Sequence, residues 1–307
     1  RAFRQTFIIG KLYHVRWLMT IVDCHCHAGK GDLMTHPANT DAPLGAYLRR
    51  ARVAGIHKTI LFPAFHTDYA QANRELARIV ARAPNRLIGF AFIHASRDTG
   101  RILQMIRIAV TRWRFRGIKV HGFESMPNRE ICEAARRFRL PILIDVGGQT
   151  QVTEMFACQY PDVNFIIPHL GSFAGDWKAH QQVVDQLVRL PNVYADTSSV
   201  RHFDYIVQAV KRAGAHKILF GSDGPWLHPG NELHKIRLLG LPPEKEALIL
   251  GQNVLRLIRH ARVGQKVGRE NSDAIPRDTF HIHKTDRHPK SLHAPARVDW
   301  RDLAVGR

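Results

Sequence analysis

The sequence predicts an α/β fold: one (β/α)8 TIM-type barrel over residues 19–260, a single domain with non-core extensions at both ends. Three observations carry that prediction. Short apolar runs of strand length recur along the chain with amphipathic stretches of helical length between them. The runs are continuous rather than alternating in polarity, as in a sheet covered by helices on both faces. Polar side chains of metal-binding type fall at the C-terminal ends of those runs, the face on which a barrel carries its chemistry.

The runs come in order. Ile21-Val22 opens the first strand, followed by Thr59–Phe62, Leu87–Ile93 and Gly117–His121. Pro141–Asp145, Asn164–His169, Asn192–Asp196 and Lys217–Asp223 complete a set of eight. Between them Tyr69–Ala83, Asn128–Leu140 and Asp204–Gly214 place apolar residues at 3.6-type spacing, with Gly or Pro near their ends. Eight such units in this length match a barrel of about 250 residues. A doubly wound sheet fits less well, because no Gly-rich phosphate turn follows the first strand.

Composition bounds the function. The chain has 307 residues, 45% of them apolar, and no run approaches the ~18 apolar residues of a membrane span. The early Phe7-Ile8-Ile9-Gly10 run is cut off by Lys11, His14 and Arg16, so no secretory signal is read there. Four scattered cysteines suggest no disulfide framework and fit a reducing, cytoplasmic setting. Cys132 and Cys158, in predicted helices, read as small buried apolar residues.

The formal charge of +19 raises the question of nucleic acid. The two ends, Arg1–Met19 and Ala261–Arg307, contribute +4 each and leave +11 on the central 241 residues, where arginines cluster within predicted helices. Solvated helix faces account for that pattern, and neither a nucleic-acid partner nor a membrane is expected. Both ends read as additions. Met19 resembles a natural start, so residues 1–18 are expected to be an extension, and residues 261–307 a disordered, basic, His-rich tail.

Chemistry first shows at Asp23-Cys24-His25-Cys26-His27. Positions i and i+2 of a strand share a face, so His25 and His27 are expected to point the same way, with Asp23 behind them and Cys24 and Cys26 facing away. Two such imidazoles can be neighbouring ligands of one divalent metal. Further along, Lys119 and His121 end the fourth strand, Asp145 the fifth, His169 the sixth, Asp196 the seventh and Asp223 the eighth. Each alone has a plain reading, such as a turn cap in Asp196-Thr197-Ser198-Ser199. A buried charge without a partner costs several kcal/mol, about what a bound cation would offset, so the set together favours a metal site.

Taken with Gly117-Ile118-Lys119-Val120-His121, Ile167-Pro168-His169-Leu170-Gly171-Ser172 and Phe220-Gly221-Ser222-Asp223-Gly224-Pro225, these motifs resemble the amidohydrolase superfamily. The branch is that of amidohydrolase-related proteins, which includes aromatic-type acid decarboxylases and lactonases. The resemblance covers residues 20 to about 260. It implies that His25, His27 and Asp223 bind one divalent metal, zinc first and manganese second, with His169 a further ligand or a catalytic imidazole. One departure stands out: the fifth strand of that branch usually ends in His-Gly, whereas Asp145 occupies the ligand position here. A carboxylate is a competent ligand and makes the site harder. Lys119 matches a strand-four lysine that some relatives carboxylate to bridge two ions.

The chemistry implied is attack by metal-activated water on a small carbonyl substrate: a lactone, an amide or a related carboxylated compound. Asp223 takes up the proton, while His169 polarises the carbonyl or protonates the leaving group. Lys119 or Arg201 binds a substrate carboxylate, His121 lies beside it, and Phe65, Phe123 and Trp226 pack its apolar part. Non-oxidative decarboxylation uses the same ligands, so the residues leave both reactions open. A TatD-type metal nuclease fits less well, because Lys119 and Gly221-Ser222-Asp223 stand where those enzymes carry Glu and Glu-Thr-Asp. A metal-free binding protein stays open because of Asp145. So does the oligomeric state, homo-oligomers included.

Overall fold

The computed structural model describes residues 19–33, 41–173 and 175–263. The expected extension at 1–18 and the tail from 264 onward lie outside the described residues. Strands run as β1 (Val22–Ala28), β2 (Lys58–Pro63), β3 (Leu87–Gly89), β4 (Ala91–Phe92), β5 (Ile118–His121), β6 (Ile142–Asp145), β7 (Phe165–Ile167), β8 (Val193–Asp196) and β9 (Ile218–Leu219). All paired neighbours are parallel.

Every predicted apolar run contains a strand, and β3 and β4 are two halves of the one run Leu87–Ile93. The run breaks at Phe90, whose N–H donates to the Leu61 carbonyl at 2.8 Å, while the Ala91 N–H turns to Gly117 at 2.9 Å. One strand thereby serves β2 with its first half and β5 with its second. The ring closes where Cys24 N–H donates to the Phe220 carbonyl at 2.9 Å and His27 N–H to that of Gly224 at 2.6 Å. The architecture is the predicted (β/α)8 barrel.

The interior fills as the strand pattern demands. Val22, Cys24, Phe62, Phe92, Leu143, Ile166, Tyr194 and Leu219 form one buried cluster. Each large apolar side chain there contributes about 1.5–3 kcal/mol. Phe62 matters most for the site, because its ring packs edge-on against His25 at 5.0 Å and His27 at 4.5 Å.

Around the ring lie α1 (Leu44–Val53), α2 (Tyr69–Ala81), α3 (Ile102–Thr111), α4 (Arg129–Phe138), α5 (Gln151–Gln159), α6 (Trp177–Arg189), α7 (Phe203–Ala213) and α8 (Pro229–Arg237). The three expected helices are α2, α4 and α7. Side-chain caps set several starts: Asp68 accepts from the N–H groups of Ala70 and Gln71, Asn128 from Ile131, and Asp176 from Lys178 and Ala179. Such a cap is worth about 1 kcal/mol. Among the described residues no helix is long and apolar enough to cross a membrane.

Three local expectations are corrected. In β1 the register slips between Asp23 and Cys26, a bulge that breaks strict alternation. Asp23 therefore turns to α1, accepting from Tyr47 Oη at 2.7 Å and Ser222 N–H at 2.9 Å, and Cys24 joins the interior cluster instead of facing away. Cys158 lies on α5 as expected but is exposed, because it falls on the outer helix face. The last run is a strand only at Ile218–Leu219; beyond it Phe220 N–H leaves the ladder for the Ile249 carbonyl. Gly221 then passes so close to β1 that a Cβ there would sit 2.9 Å from His25 Cβ. No side chain fits at that point, and the close approach carries Asp223 to the histidines.

Candidate active site

The C-terminal ends of the strands bring two groups of polar side chains together. In the first, His25 Nε2 lies 3.4 Å and His27 Nε2 3.8 Å from Asp223 Oδ1. All three residues are buried, and their ligand atoms lie within 4.8 Å of one another, close enough to hold one metal ion. Asp223 reaches them from a left-handed backbone, φ 55°, a conformation that costs a non-glycine residue about 1–3 kcal/mol and recurs at functional sites.

The far nitrogens of both rings are tied down. His25 Nδ1 is 2.9 Å from Asp196 Oδ2, and His27 Nδ1 is 3.0 Å from the Pro63 carbonyl. A carboxylate and a carbonyl can only accept, so each ring carries its proton on Nδ1 and turns its Nε2 lone pair toward Asp223. Burial lowers the His25 pKa despite Asp196, and lowers that of His27 well below its ordinary value, with His25 adding to the effect. Both rings are therefore neutral, the state in which imidazole binds a metal. The donor set fits a divalent ion.

A second trio, His25, His169 and Asp196, is also close enough to hold an ion. Its atoms are already bonded to each other and to the backbone. Asp196 Oδ1 accepts from the N–H groups of His169 and Ser198 and from Ser198 Oγ, at 3.1, 3.0 and 2.5 Å. Burial pushes the Asp196 carboxyl up, yet His25, His169 and Ser198 hold it at about 2. This trio is an orienting network; the sequence reading set Asp196 among the polar strand ends without giving it this task, and it did not place Ser198 in the site at all. Spacing carries no signal for them, since they act on rings far away in the chain.

The second polar group centres on Asp145, which pairs with His121 in the β5–β6 register. Its Oδ2 lies 3.3 Å from His121 Nε2 and 3.7 Å from His169 Nε2, and its Oδ1 accepts the Gly147 N–H at 3.0 Å. Burial would raise this carboxyl, but His121, His169 and Lys119 hold it well below the usual range. Asp145 thus stands between two imidazoles and outside the His25–His27–Asp223 trio. His169 sits in a left-handed turn, φ 56°, with Nδ1 3.0 Å from the Ser198 carbonyl and its ring 4.8 Å from that of His25.

Lys119 is buried with Nζ 4.9 Å over the Phe62 ring, and burial lowers its pKa while Asp145, Asp196 and Asp223 pull it back up. Trp226 lies 4.4 Å from the His27 ring and stacks on Phe65 at 6.2 Å, 8° from parallel. Phe65 reaches His121 at 4.8 Å, and the exposed Phe123 covers the same ring at 5.5 Å. Arg201 is exposed on the loop after β8. Phe173, 5.4 Å from His169, was not anticipated.

A closed parallel barrel with His/Asp groups at its C-terminal rim defines a class of enzyme scaffold, and comparison with known proteins identifies the branch. The amidohydrolase family profile matches residues 22–259, and the chain belongs to that family. It is an enzyme of the amidohydrolase superfamily. No curated protein sequence matches it. Among solved structures it resembles a variant of 5-carboxyvanillate decarboxylase from Novosphingobium aromaticivorans with bound manganese (14% identity, 78% of this chain and 97% of that one, TM-score 0.62). It also resembles a probable 2-pyrone-4,6-dicarboxylic acid hydrolase from Acinetobacter baumannii (15%, 78% and 100%, 0.61). A third is an amidohydrolase from Burkholderia multivorans with bound zinc (13%, 78% and 99%, 0.65). At these identities the likeness speaks for the fold.

Proposed function

We propose that the enzyme is a metal-dependent hydrolase of a small carbonyl substrate that bears a carboxylate, such as a lactone or an amide. The observation that carries this reading is the pair of buried, neutral imidazoles whose Nδ1 atoms are tied and whose Nε2 atoms meet at Asp223 Oδ1. His25, His27 and Asp223 would hold one divalent ion, zinc in first place and manganese in second. When bound, the ion supplies Lewis-acid activation of water and of the substrate carbonyl.

The remaining steps fall to side chains. Lys119 offers a buried positive charge for the substrate carboxylate, and Phe65 with Trp226 forms a flat apolar wall beside it. Asp223 accepts the proton of the attacking water. His169, with its Nδ1–H given to the Ser198 carbonyl, takes and returns a proton at Nε2, and Asp145 Oδ2 stabilises the ring while it is charged. His121 adds a second imidazole on the other side of that carboxylate.

A second reading is non-oxidative decarboxylation of an aromatic-type acid. The stacked wall of Phe65 and Trp226 favours it, because that wall suits a planar ring. Both readings keep a small-molecule partner and a cytoplasmic setting. The test is a panel of lactones, amides and aromatic acids, each with and without added zinc or manganese, followed for ring-opened acid and for carbon dioxide. Metal-dependent hydrolysis supports the first reading and metal-dependent carbon dioxide release the second. Protein that takes up no stoichiometric metal under any loading condition sinks both.

A further inference from the structure

Asp223 touches more than the two histidines. Its Oδ2 accepts from Ser199 Oγ at 3.3 Å, which leaves Oδ1 as the atom nearest both imidazoles. Ser199 is itself held in a left-handed conformation, φ 59°, so two non-glycine residues in an unfavourable region face each other across one hydrogen bond. Such strain persists only where the surroundings enforce it.

What enforces it lies on α8, an element that contributes no residue to the groups described above. Glu232 is 8% exposed, and its Oε2 accepts the Ser199 N–H at 2.9 Å. Lys235, one turn on, pairs with that same oxygen at 2.6 Å and donates to the carbonyls of Val200 at 3.1 Å and Thr197 at 3.4 Å. The ion pair therefore grips the loop on both sides of Ser199. A buried carboxylate is costly unless paired, and a pair this enclosed contributes little net stability, so its more evident effect is to fix geometry.

We propose that Glu232, held by Lys235, is a positioning residue of the metal site: it fixes Ser199 so that the hydroxyl occupies Asp223 Oδ2 and presents Oδ1 alone to the ion. The inference rests on the metal-dependent reading above and extends it to a residue two contacts away from the ligands. Removing a partner that orients a ligand typically lowers metal affinity about 10–100-fold.

The test measures zinc affinity by competition with a chromophoric chelator, beside the unfolding midpoint of the metal-free protein, for wild type and for S199A, S199G and E232Q. Expected is a loss of affinity of about 10–100-fold in S199A and S199G alike, with the midpoint little changed, and a loss of similar size in E232Q. The two serine variants carry the test even where Glu232→Gln unfolds the barrel. Wild-type protein that binds zinc stoichiometrically while S199A and S199G bind as tightly overturns this inference and leaves the metal site standing. Wild-type protein that binds no divalent ion overturns both.

Discussion

Two carboxylates at the barrel rim each face two imidazoles, and the way the rings are supported sets them apart. At Asp223, both rings are anchored from behind, His25 by Asp196 and His27 by the Pro63 carbonyl. At Asp145, His169 is anchored by the Ser198 carbonyl, but His121 Nδ1 is buried with no hydrogen-bond partner among the described residues. Anchoring fixes which nitrogen carries the proton and which is left for a ligand. The first group has both rings fixed from behind, whereas in the second one ring is fixed at Nδ1 and the other is held only through Nε2 by Asp145 among the described residues. The lesson is that the atoms behind the imidazoles, more than the count of His and Asp, set the two groups apart.

The contrast can be broken most sharply at Asp223. Asp223→Ala should lose stoichiometric metal and essentially all turnover, checked by mass spectrometry of the purified protein beside the activity panel; full metal occupancy in this variant would collapse the distinction. A smaller effect is expected at Asp145. Asp145→Ala should keep the ion with affinity lowered by less than about 10-fold, because Asp145 touches His121 and His169 and none of the three ligands, and Asp145→His should keep it too. If Asp145→Ala empties the site as Asp223→Ala does, Asp145 is itself a ligand.

Next comes Lys119, which lies in reach of both groups. Lys119→Met removes the buried charge offered to a substrate carboxylate, and a charged hydrogen bond of about 1.5–3 kcal/mol corresponds to a rise in KM of roughly 10–100-fold. Metal content should stay unchanged. An unaltered KM for carboxylate substrates, measured by steady-state kinetics, removes Lys119 from substrate binding.

The smallest effect concerns Asp23, on the outer side of the bulge. Burial pushes this carboxyl from an ordinary 3.8 up to about 7, against hydrogen bonds from Ser222 and Tyr47 that pull it down. The folded value lies above the unfolded one, so the contribution to stability is complete below about pH 4 and fades as pH rises through about 7. In metal-free protein the unfolding midpoint should therefore fall between about pH 4 and 7, and Asp23→Asn should flatten that fall. Parallel slopes for variant and wild type would remove Asp23 as the cause.

Much of this was legible in the residues. His25 and His27 share the interior side because a strand repeats every two residues, and Asp145 meets His121 because adjacent parallel strands end level. Asp23 and Cys24 were misplaced because one extra residue against β2 inverts the alternation, and no pattern in an apolar run announces a bulge. The convergence of Asp223 was legible as a motif, but its route was not: the chain leaves the ladder at Phe220, and only a glycine lets it pass His25. Asp196 looked like a turn cap and is one, since it accepts the Ser198 N–H; its second task, orienting His25, depends on a contact across 171 positions. Such contacts arise from closing the ring and leave no periodic trace.

Ser198 offers a consequence of another kind. Its hydroxyl lies 2.9 Å from His169 Nδ1, 3.3 Å from His25 Nδ1 and 2.5 Å from Asp196 Oδ1, so one small group is common to two rings, one on β1 and one in the turn after β7. A change at either ring alters the setting in which the other is tolerated. The three side chains are therefore coupled energetically: the effect of replacing Ser198, His25 or His169 depends on what stands at the other two, so their substitutions do not add.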